Sequence, residues 1–232
     1  MELKKWSITQ PIALPSICAL CEHYHHKGPV CNECQRWLLT LGSSCQICAL
    51  PLLEDTFSFC GRCIKQKPAF DNVSASYRYE EPLRILLHQF KYNEALYLNA
   101  FLADLMLQSP PINIKASECL IPVPMHPEKL RTRGFNQAAE LTKYIAKTLN
   151  KPYDLRLCSK IVNTLSQAGL NQRDRQKNIK SSFYVRPNRY KHVTIIDDLL
   201  TTGWTAHELA SQLKATGILT VDVWCCARAV MD

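Results

Sequence analysis

Four Cys-x-x-Cys pairs fall within the first 63 residues: Cys18/Cys21, Cys31/Cys34, Cys45/Cys48 and Cys60/Cys63. Nothing else in the chain restricts its fold as much. A Cys-x-x-Cys turn aims two thiolates at one point, so two such turns complete a tetrahedral site closed to water. Four turns therefore imply two structural zinc ions. Loops of nine, ten and eleven residues separate the pairs. Two arrangements are open: sequential pairing, which gives two zinc ribbons in tandem, and interleaved pairing of the RING type. Few large apolar residues occur in this segment, which makes metal ligation its natural source of stability. Disulfides require an oxidising compartment, for which no feature speaks, and a redox motif has no need of four copies. The histidines of "HYHH" (His23, His25 and His26) read as surface residues, because the four pairs already complete both ligand sets. Cys119, Cys158, Cys225 and Cys226 lack the spacing and lie in apolar stretches, so they read as buried structural thiols.

A chain of 232 residues, 47% hydrophobic, has room for one main domain and an appendage. The change from cysteine turns to strand and helix patterns divides it into a double zinc-ribbon domain over 1–68 and a larger domain over 69–232. No run of about 18 apolar residues occurs, and the first residues lack the apolar stretch of a signal peptide. The expectation is a soluble cytoplasmic protein without membrane insertion. The net charge of +8 is uneven: residues 127–192 hold 15 Lys and Arg against 4 Asp and Glu, and the remainder 13 against 16. Such a local excess suits a polyanion, either a phosphorylated small molecule or nucleic acid; the alternative is a solvated lysine-rich surface.

Beyond the cysteines, the pattern predicts a strand over 72–79, a helix from Pro82 to about Phe90 and a second helix over 95–107. "CLIPVP" reads as a short buried strand, "MHPEKLRTRG" as a loop, and the next helix carries Ala138, Leu141, Ile145 and Leu149 on one face. A strand follows over 155–162, then a long polar loop. "HVTIID" has the apolar run of a buried parallel strand. The helix after it lines up Ala206, Leu209, Ala210 and Leu213, with Gly217 as its C-terminal cap, and "LTVDVWCCARAV" closes the sheet. This alternation predicts an open, mainly parallel α/β sheet, with ligands at the carboxyl ends of its strands.

One such end reads "VTIIDDLLTTGWT". Asp197 and Asp198 lie where the strand is expected to stop, and two acids there suit sugar hydroxyls, directly or through Mg²⁺. Thr201, Thr202, Gly203 and Thr205 fit a phosphate cradle: free N–H groups at a helix start, hydroxyl donors and a glycine that permits close approach. Sugar diol plus phosphate describes a ribose 5-phosphate. An ordinary helix N-cap is the plain alternative, but a cap needs one such residue and this turn has five.

The stretch resembles the phosphoribosyl pyrophosphate (PRPP) motif of type I phosphoribosyltransferases, a hydrophobic strand leading into two acids and a T-T-G-x-T loop. With the cysteine pairs, "FKY" at 90–92, "PVPMHPEKLRTRGFNQA" at 122–138 and "TLSQAGLNQRDRQKNIKSSF" at 164–183, the chain is similar over almost its whole length to the ComF (ComFC/GntX-like) family. The family often has a glycine soon after "KY", where this chain has "NEALYL". The resemblance implies that Asp197 and Asp198 contact the ribose and act in catalysis. It also implies that Leu199 and Leu200 belong to the PRPP-binding stretch and that Thr201, Thr202, Gly203, Trp204 and Thr205 hold the 5-phosphate. Lys91, Arg131 and Arg133 are then candidates near the pyrophosphate, and Arg173 and Arg175 lie on a mobile hood over 164–183. Two functions remain open: a transferase releasing pyrophosphate from Mg²⁺·PRPP, or a non-catalytic competence factor holding single-stranded DNA, with Trp6, Trp37 and Tyr92 available for stacking. Either is linked by the resemblance to DNA uptake or utilisation. No motif identifies a ribosyl acceptor.

Overall fold

The stretches "HVTIIDDLL" and "TVDVWCCAR" become the two central strands of the sheet. In a computed structural model, which describes residues 15–52, 54, 56–92, 95–162 and 182–230, the cysteine-rich part comes first. It contains β1 (Ser16–Ile17), β2 (Tyr24–His25), α1 (Asn32–Gln35) and α2 (Gly61–Lys65). Then follow β3 (Asn72–Arg78), α3 (Leu83–Tyr92), a 3₁₀ turn (Leu96–Leu98), α4 (Asn99–Leu107), β4 (Cys119–Pro122), α5 (Pro127–Arg133) and α6 (Gln137–Leu149). The chain continues with β5 (Cys158–Lys160), β6 (Phe183–Val185), β7 (His192–Leu200), α7 (Trp204–Ala215) and β8 (Thr220–Arg228). Strands β3, β8, β7 and β4, in that order, form one parallel sheet. This is the open α/β sheet that the strand and helix alternation predicts.

Alternation along β8 divides its side chains between the two faces. Val221, Val223 and Cys225 pack with Ala206, Leu209, Ala210 and Leu213 of α7, while Trp224 and Cys226 pack with α3, α4 and α6. Helix α3 buries Leu83, Leu86, Leu87 and Phe90, a helical stripe. Each of these buried side chains contributes about 1.5–3 kcal/mol. Cys119, Cys158, Cys225 and Cys226 are all buried, and burial pushes the Cys158 thiol up to about 12.

The cysteine-rich segment straddles the β3 edge of the sheet. Cys18, Val30 and Leu38 join the cluster on the α3 face, whereas Cys45, Cys48, Cys60 and Cys63 join the cluster on the α7 face. Between them Thr40 bridges Tyr77 antiparallel, Leu41 N–H donates to Ser76 (3.2 Å) and Arg78 N–H donates to Leu39 (2.9 Å). An edge with unpaired backbone groups is thereby covered.

Four expectations change. The "MHPEKLRTRG" stretch holds helix α5: Pro127 sits at its start, the His126 ring accepts from Glu128 N–H, and Gly134 (φ +84) ends it. That is a full set of stop and start signals in a segment too short to show apolar periodicity. The strand over 155–162 shrinks to β5, which pairs antiparallel with β6 outside the main sheet. The helix over 95–107 opens as a 3₁₀ turn. Finally, β7 runs on to Leu200, past both acids, because β8 continues to pair with it up to Arg228. No described helix is long and apolar enough to cross a membrane.

Candidate functional site

Each cysteine knot combines a turn with a helix start. Cys31 and Cys34 lie at the beginning of α1, and Cys60 and Cys63 at the beginning of α2. The turns that carry Cys18/Cys21 and Cys45/Cys48 each continue into a left-handed residue, Glu22 (φ 60) and Ala49 (φ 54). The N–H of that residue closes back on the carbonyl of Cys18 (2.9 Å) or Cys45 (2.8 Å). Within each knot the ligand atoms of Cys18, Cys21, Cys31 and Cys34, or of Cys45, Cys48, Cys60 and Cys63, lie within 4.8 Å of one another. This is the sequential pairing, and it rules out the interleaved one. The Cys21–Cys31 sulfurs are 3.8 Å apart and the Cys48–Cys60 sulfurs 3.6 Å. A Zn–S bond of about 2.3 Å gives a tetrahedron edge of about 3.8 Å, whereas a disulfide requires about 2.05 Å. Both sets can therefore hold a zinc ion. Burial opposes ionisation of Cys18 and Cys45, but main-chain N–H groups aimed at the sulfurs outweigh it and bring these thiols down to about 6 and about 7. His23 and His26 are exposed, as expected, whereas His25, in β2, is half-buried with its Nε2 out of solvent. Metal analysis of the purified chain is expected to give two zinc ions per molecule and Cys21→Ser one; a value of one for the unaltered chain means that one knot takes no metal.

A cleft with a cavity volume of about 910 Å³ opens where β4 and β7 end. Asp197 and Asp198 both line it, although neighbours on a strand point to opposite sides. Asp198 is buried and pairs with Lys91 of α3 at 2.8 Å; its N–H donates to Asp197 Oδ1 at 2.9 Å. Burial, then the charge of Asp198, push the Asp197 carboxyl well above its ordinary range, and Lys91 offsets only part of this. Burial works against the Lys91 ammonium too, yet the charge and hydrogen bond of Asp198, aided by Asp197, hold it above its ordinary value. Lys91 thus faces the acids and not a free anion subsite.

The opposite wall is basic. Lys129 and Arg133 of α5 and Lys160 of β5 line the same cleft. Burial and the charge of Arg133 lower Lys129; burial and the charge of Lys129 lower Lys160, with Asp197 opposing. Two lysines whose charge is opposed by burial and by a neighbouring cation, with Arg133 beside them, mark a place where a polyanion is welcome. Arg131 is exposed and is not among the lining residues.

The "RGFNQ" stretch builds this wall. Arg133 donates to Gln137 Oε1 (3.0 Å) and lies over the Tyr92 ring at 5.1 Å. Phe135 packs on Phe90 with ring centroids 5.7 Å apart. Asn136 caps α6 by accepting from Ala138 N–H (3.0 Å) and donates to the Val123 carbonyl (3.0 Å), which ties α6 to the loop after β4. Gln137 reaches the carbonyls of Phe90 and Lys91, each at 3.5 Å.

The 201–205 turn is divided between two surroundings. Thr201 and Thr205 line the cleft with Leu199. Leu200, Thr202, Gly203 and Trp204 instead face the second cysteine knot, around a small cavity of about 30 Å³. Gly203 needs its lack of a side chain, since φ is +78 and it begins α7 with no side-chain cap. Arg173, Arg175 and the other residues of the expected hood up to 181 lie outside the described residues, as does Trp6, whereas its last two residues, Ser182 and Phe183, are buried, Phe183 at the start of β6. Trp37 is 73% exposed and Tyr92 62%. Lys129 and Lys160 were not singled out from the sequence. Lys129 lies in a segment read as loop, where the spacing to Arg133 is the only signal; Lys160 reaches the cleft through tertiary structure alone.

No family model matches the chain. Among characterised proteins it is 30% identical to Competence protein F of Haemophilus influenzae, over 94% of this chain and 93% of that one. It is 31% identical to DNA utilization protein YhgH of Salmonella typhimurium, over 94% of this chain and all of that one. Competence protein ComFC of Bacillus subtilis is 26% identical over 81% of this chain and 79% of its own length. With two four-cysteine knots, an open parallel sheet and identity of this extent along nearly its whole length, the chain belongs to the ComF family.

Proposed function

We propose that this protein binds Mg²⁺·PRPP in the cleft at the ends of β4 and β7 and serves DNA uptake or utilisation in the cytoplasm. The observation that carries this reading is the meeting of an acid pair, Asp197 and Asp198, with a wall of three cations in one cleft. The acids suit the ribose hydroxyls. Thr201, Thr205 and the N–H groups of the 201–205 turn suit the 5-phosphate. Lys129, Arg133 and Lys160 suit the pyrophosphate; Arg173 and Arg175, which lie outside the described residues, are proposed for the same group. Bound Mg²⁺ supplies further charge neutralisation on that group. Lys91, paired with Asp198 at 2.8 Å, holds that carboxylate in the cleft.

The reading includes transfer. The bond from C1 to the pyrophosphate oxygen breaks with its electron pair leaving on pyrophosphate, and an acceptor lone pair forms the new bond to C1 while the acceptor loses its proton. The cationic wall stabilises the departing charge. Support for the cellular role comes from relatives named for competence and for DNA utilization; the two zinc ions are structural in this reading.

Calorimetry of wild-type protein with Mg²⁺ and PRPP is expected to show saturable binding; a flat thermogram overturns the assignment. Pyrophosphate release in a screen of nucleobases, nucleic acids and other ribosyl acceptors then identifies the reaction.

A second reading, direct retention of single-stranded DNA, is favoured by the exposed Tyr92 with Arg133 stacked on it beside the basic wall. Oligonucleotide affinity is then expected to fall steeply as salt rises. An affinity that does not change with salt removes the basic wall from that account.

A further inference from the structure

Arg228, at the end of β8, is 1% exposed, and its guanidinium is spent on main-chain carbonyls. Nε donates to the carbonyl of Cys48 at 2.9 Å. Nη1 donates to those of Leu200 (3.1 Å), Ala229 (2.8 Å) and Thr201. A buried charge is costly unless its hydrogen bonds are filled. Here the filled bonds join two places that the sequence keeps far apart: a metal-ligating cysteine and the first residues of the phosphate-type turn.

Other contacts fasten the same seam. The guanidinium of Arg62, which lies in α2 between Cys60 and Cys63, is 5.2 Å from the centre of the Trp204 ring. Trp204 meets His207 edge-on at 5.5 Å, and His207 Nδ1 accepts from Ala69 N–H at 3.0 Å. The Phe70 ring comes within 3.9 Å of the position where a side chain on Gly203 would start. Among the described residues the first knot has no such link to the turn; it sits on the other face of the sheet and is tied to α3, where Gln89 donates to the Ala19 carbonyl at 3.2 Å.

We propose that Arg228 is a positioning residue that couples the second cysteine knot to the 201–205 turn, so that metal occupancy of Cys45, Cys48, Cys60 and Cys63 governs ligand affinity in the cleft. The ligand part rests on the PRPP reading above; the coupling of knot to turn does not. Coupling between two sites is reciprocal. A ligand that orders the turn therefore slows metal loss from the second knot, and loss of that metal loosens the turn.

Two measurements test this on the full zinc-loaded chain. Hydrogen exchange by mass spectrometry follows the peptide covering 199–204, and cysteine alkylation during treatment with a chelator distinguishes metal release at 45–63 from release at 18–34. In Arg228→Lys, which keeps a charge but loses Nε and the planar fork, both 199–204 exchange and second-knot release are expected to quicken roughly tenfold. First-knot release stays at the wild-type rate. A folded Arg228→Lys protein with wild-type exchange and release overturns the coupling. Where that variant fails to fold, Arg62→Ala weakens the same seam from the knot side and is expected to give the same pattern with a smaller change; no change there overturns it equally. Mg²⁺·PRPP added to wild type is expected to protect the second knot and not the first. Binding by calorimetry without selective protection overturns metal control of affinity. An absence of binding sinks the PRPP reading, and the exchange experiment still decides whether the turn is seated on the knot.

Discussion

Substituting both acids, Asp197→Asn with Asp198→Asn, is expected to weaken Mg²⁺·PRPP binding by at least about a hundredfold. A hydrogen bond to a charged group contributes about 1.5–3 kcal/mol, and 1.4 kcal/mol is tenfold in affinity. Two such groups facing one sugar therefore exceed two decades, which calorimetry reads directly; a double variant that binds like wild type removes the ribose assignment. Stability is expected to move the other way, and the single Asp197→Asn variant isolates this because it leaves the Lys91–Asp198 pair intact. Burial, then the Asp198 charge, raise the folded Asp197 carboxyl above its unfolded value. A group raised in this direction favours the fold below its unfolded pKa, near 4, and that contribution is lost as pH rises through the folded pKa. Asparagine has no such loss. The variant is therefore expected to melt about 2–4 °C higher than wild type at neutral pH for each kcal/mol recovered, with the difference vanishing near pH 4. A melting difference that does not change with pH means that Asp197 is not held under this strain.

Stripping both metals has the largest expected effect on the fold: a fall in melting midpoint of more than about 20 °C, in a single transition. Structural zinc in small knots is worth about 10–16 kcal/mol, against a total stability of about 5–15 kcal/mol for a typical protein. At about 2–4 °C per kcal/mol the shift reaches tens of degrees. The single transition follows from packing. Cys45, Cys48, Cys60 and Cys63 share a cluster with Val193, Val223 and Leu209, and Cys18 shares one with Leu86 and Trp224. Melting curves with and without a strong chelator check this, and two separate transitions would show the knots to be independent appendages.

Much of this was legible in the sequence, for reasons that are local. A Cys-x-x-Cys turn needs only its own backbone to aim two sulfurs, so all eight ligands could be read from spacing, whereas the partition into two sets could not, because sequential and interleaved pairing fit the same spacing and only the structure separates them. The acids and the T-T-G-x-T turn are likewise contiguous, and apolar periodicity announced α3, α6 and α7. What escaped is what only tertiary structure assembles. Lys160 reaches the cleft from a ribbon outside the main sheet, and Lys129 does so on a helix of seven residues whose cap and glycine outweigh its lack of an apolar stripe. The division of the turn could not be read either. Nothing within "LTTGWT" says that Thr202 and Trp204 belong to the metal-bearing part while Thr201 and Thr205 face the ligand; that follows from Arg228 and Phe70, which lie 27 residues beyond Thr201 and 131 before it.

Strand β8, the last of the described elements to leave the ribosome, lies between β3 and β7. Until it arrives, β3 has no partner in the sheet and β7 can pair only with β4. The sheet is thus completed only once β8 has emerged, by insertion of a late strand into its middle, and shorter nascent chains expose an open slot with apolar walls. Such a slot is a target for chaperones and for a neighbouring chain's strand. Among the described elements the two cysteine knots precede the sheet, and each draws its four ligands from fewer than twenty residues, which gives the growing chain anchors on either face of the place where the sheet must form.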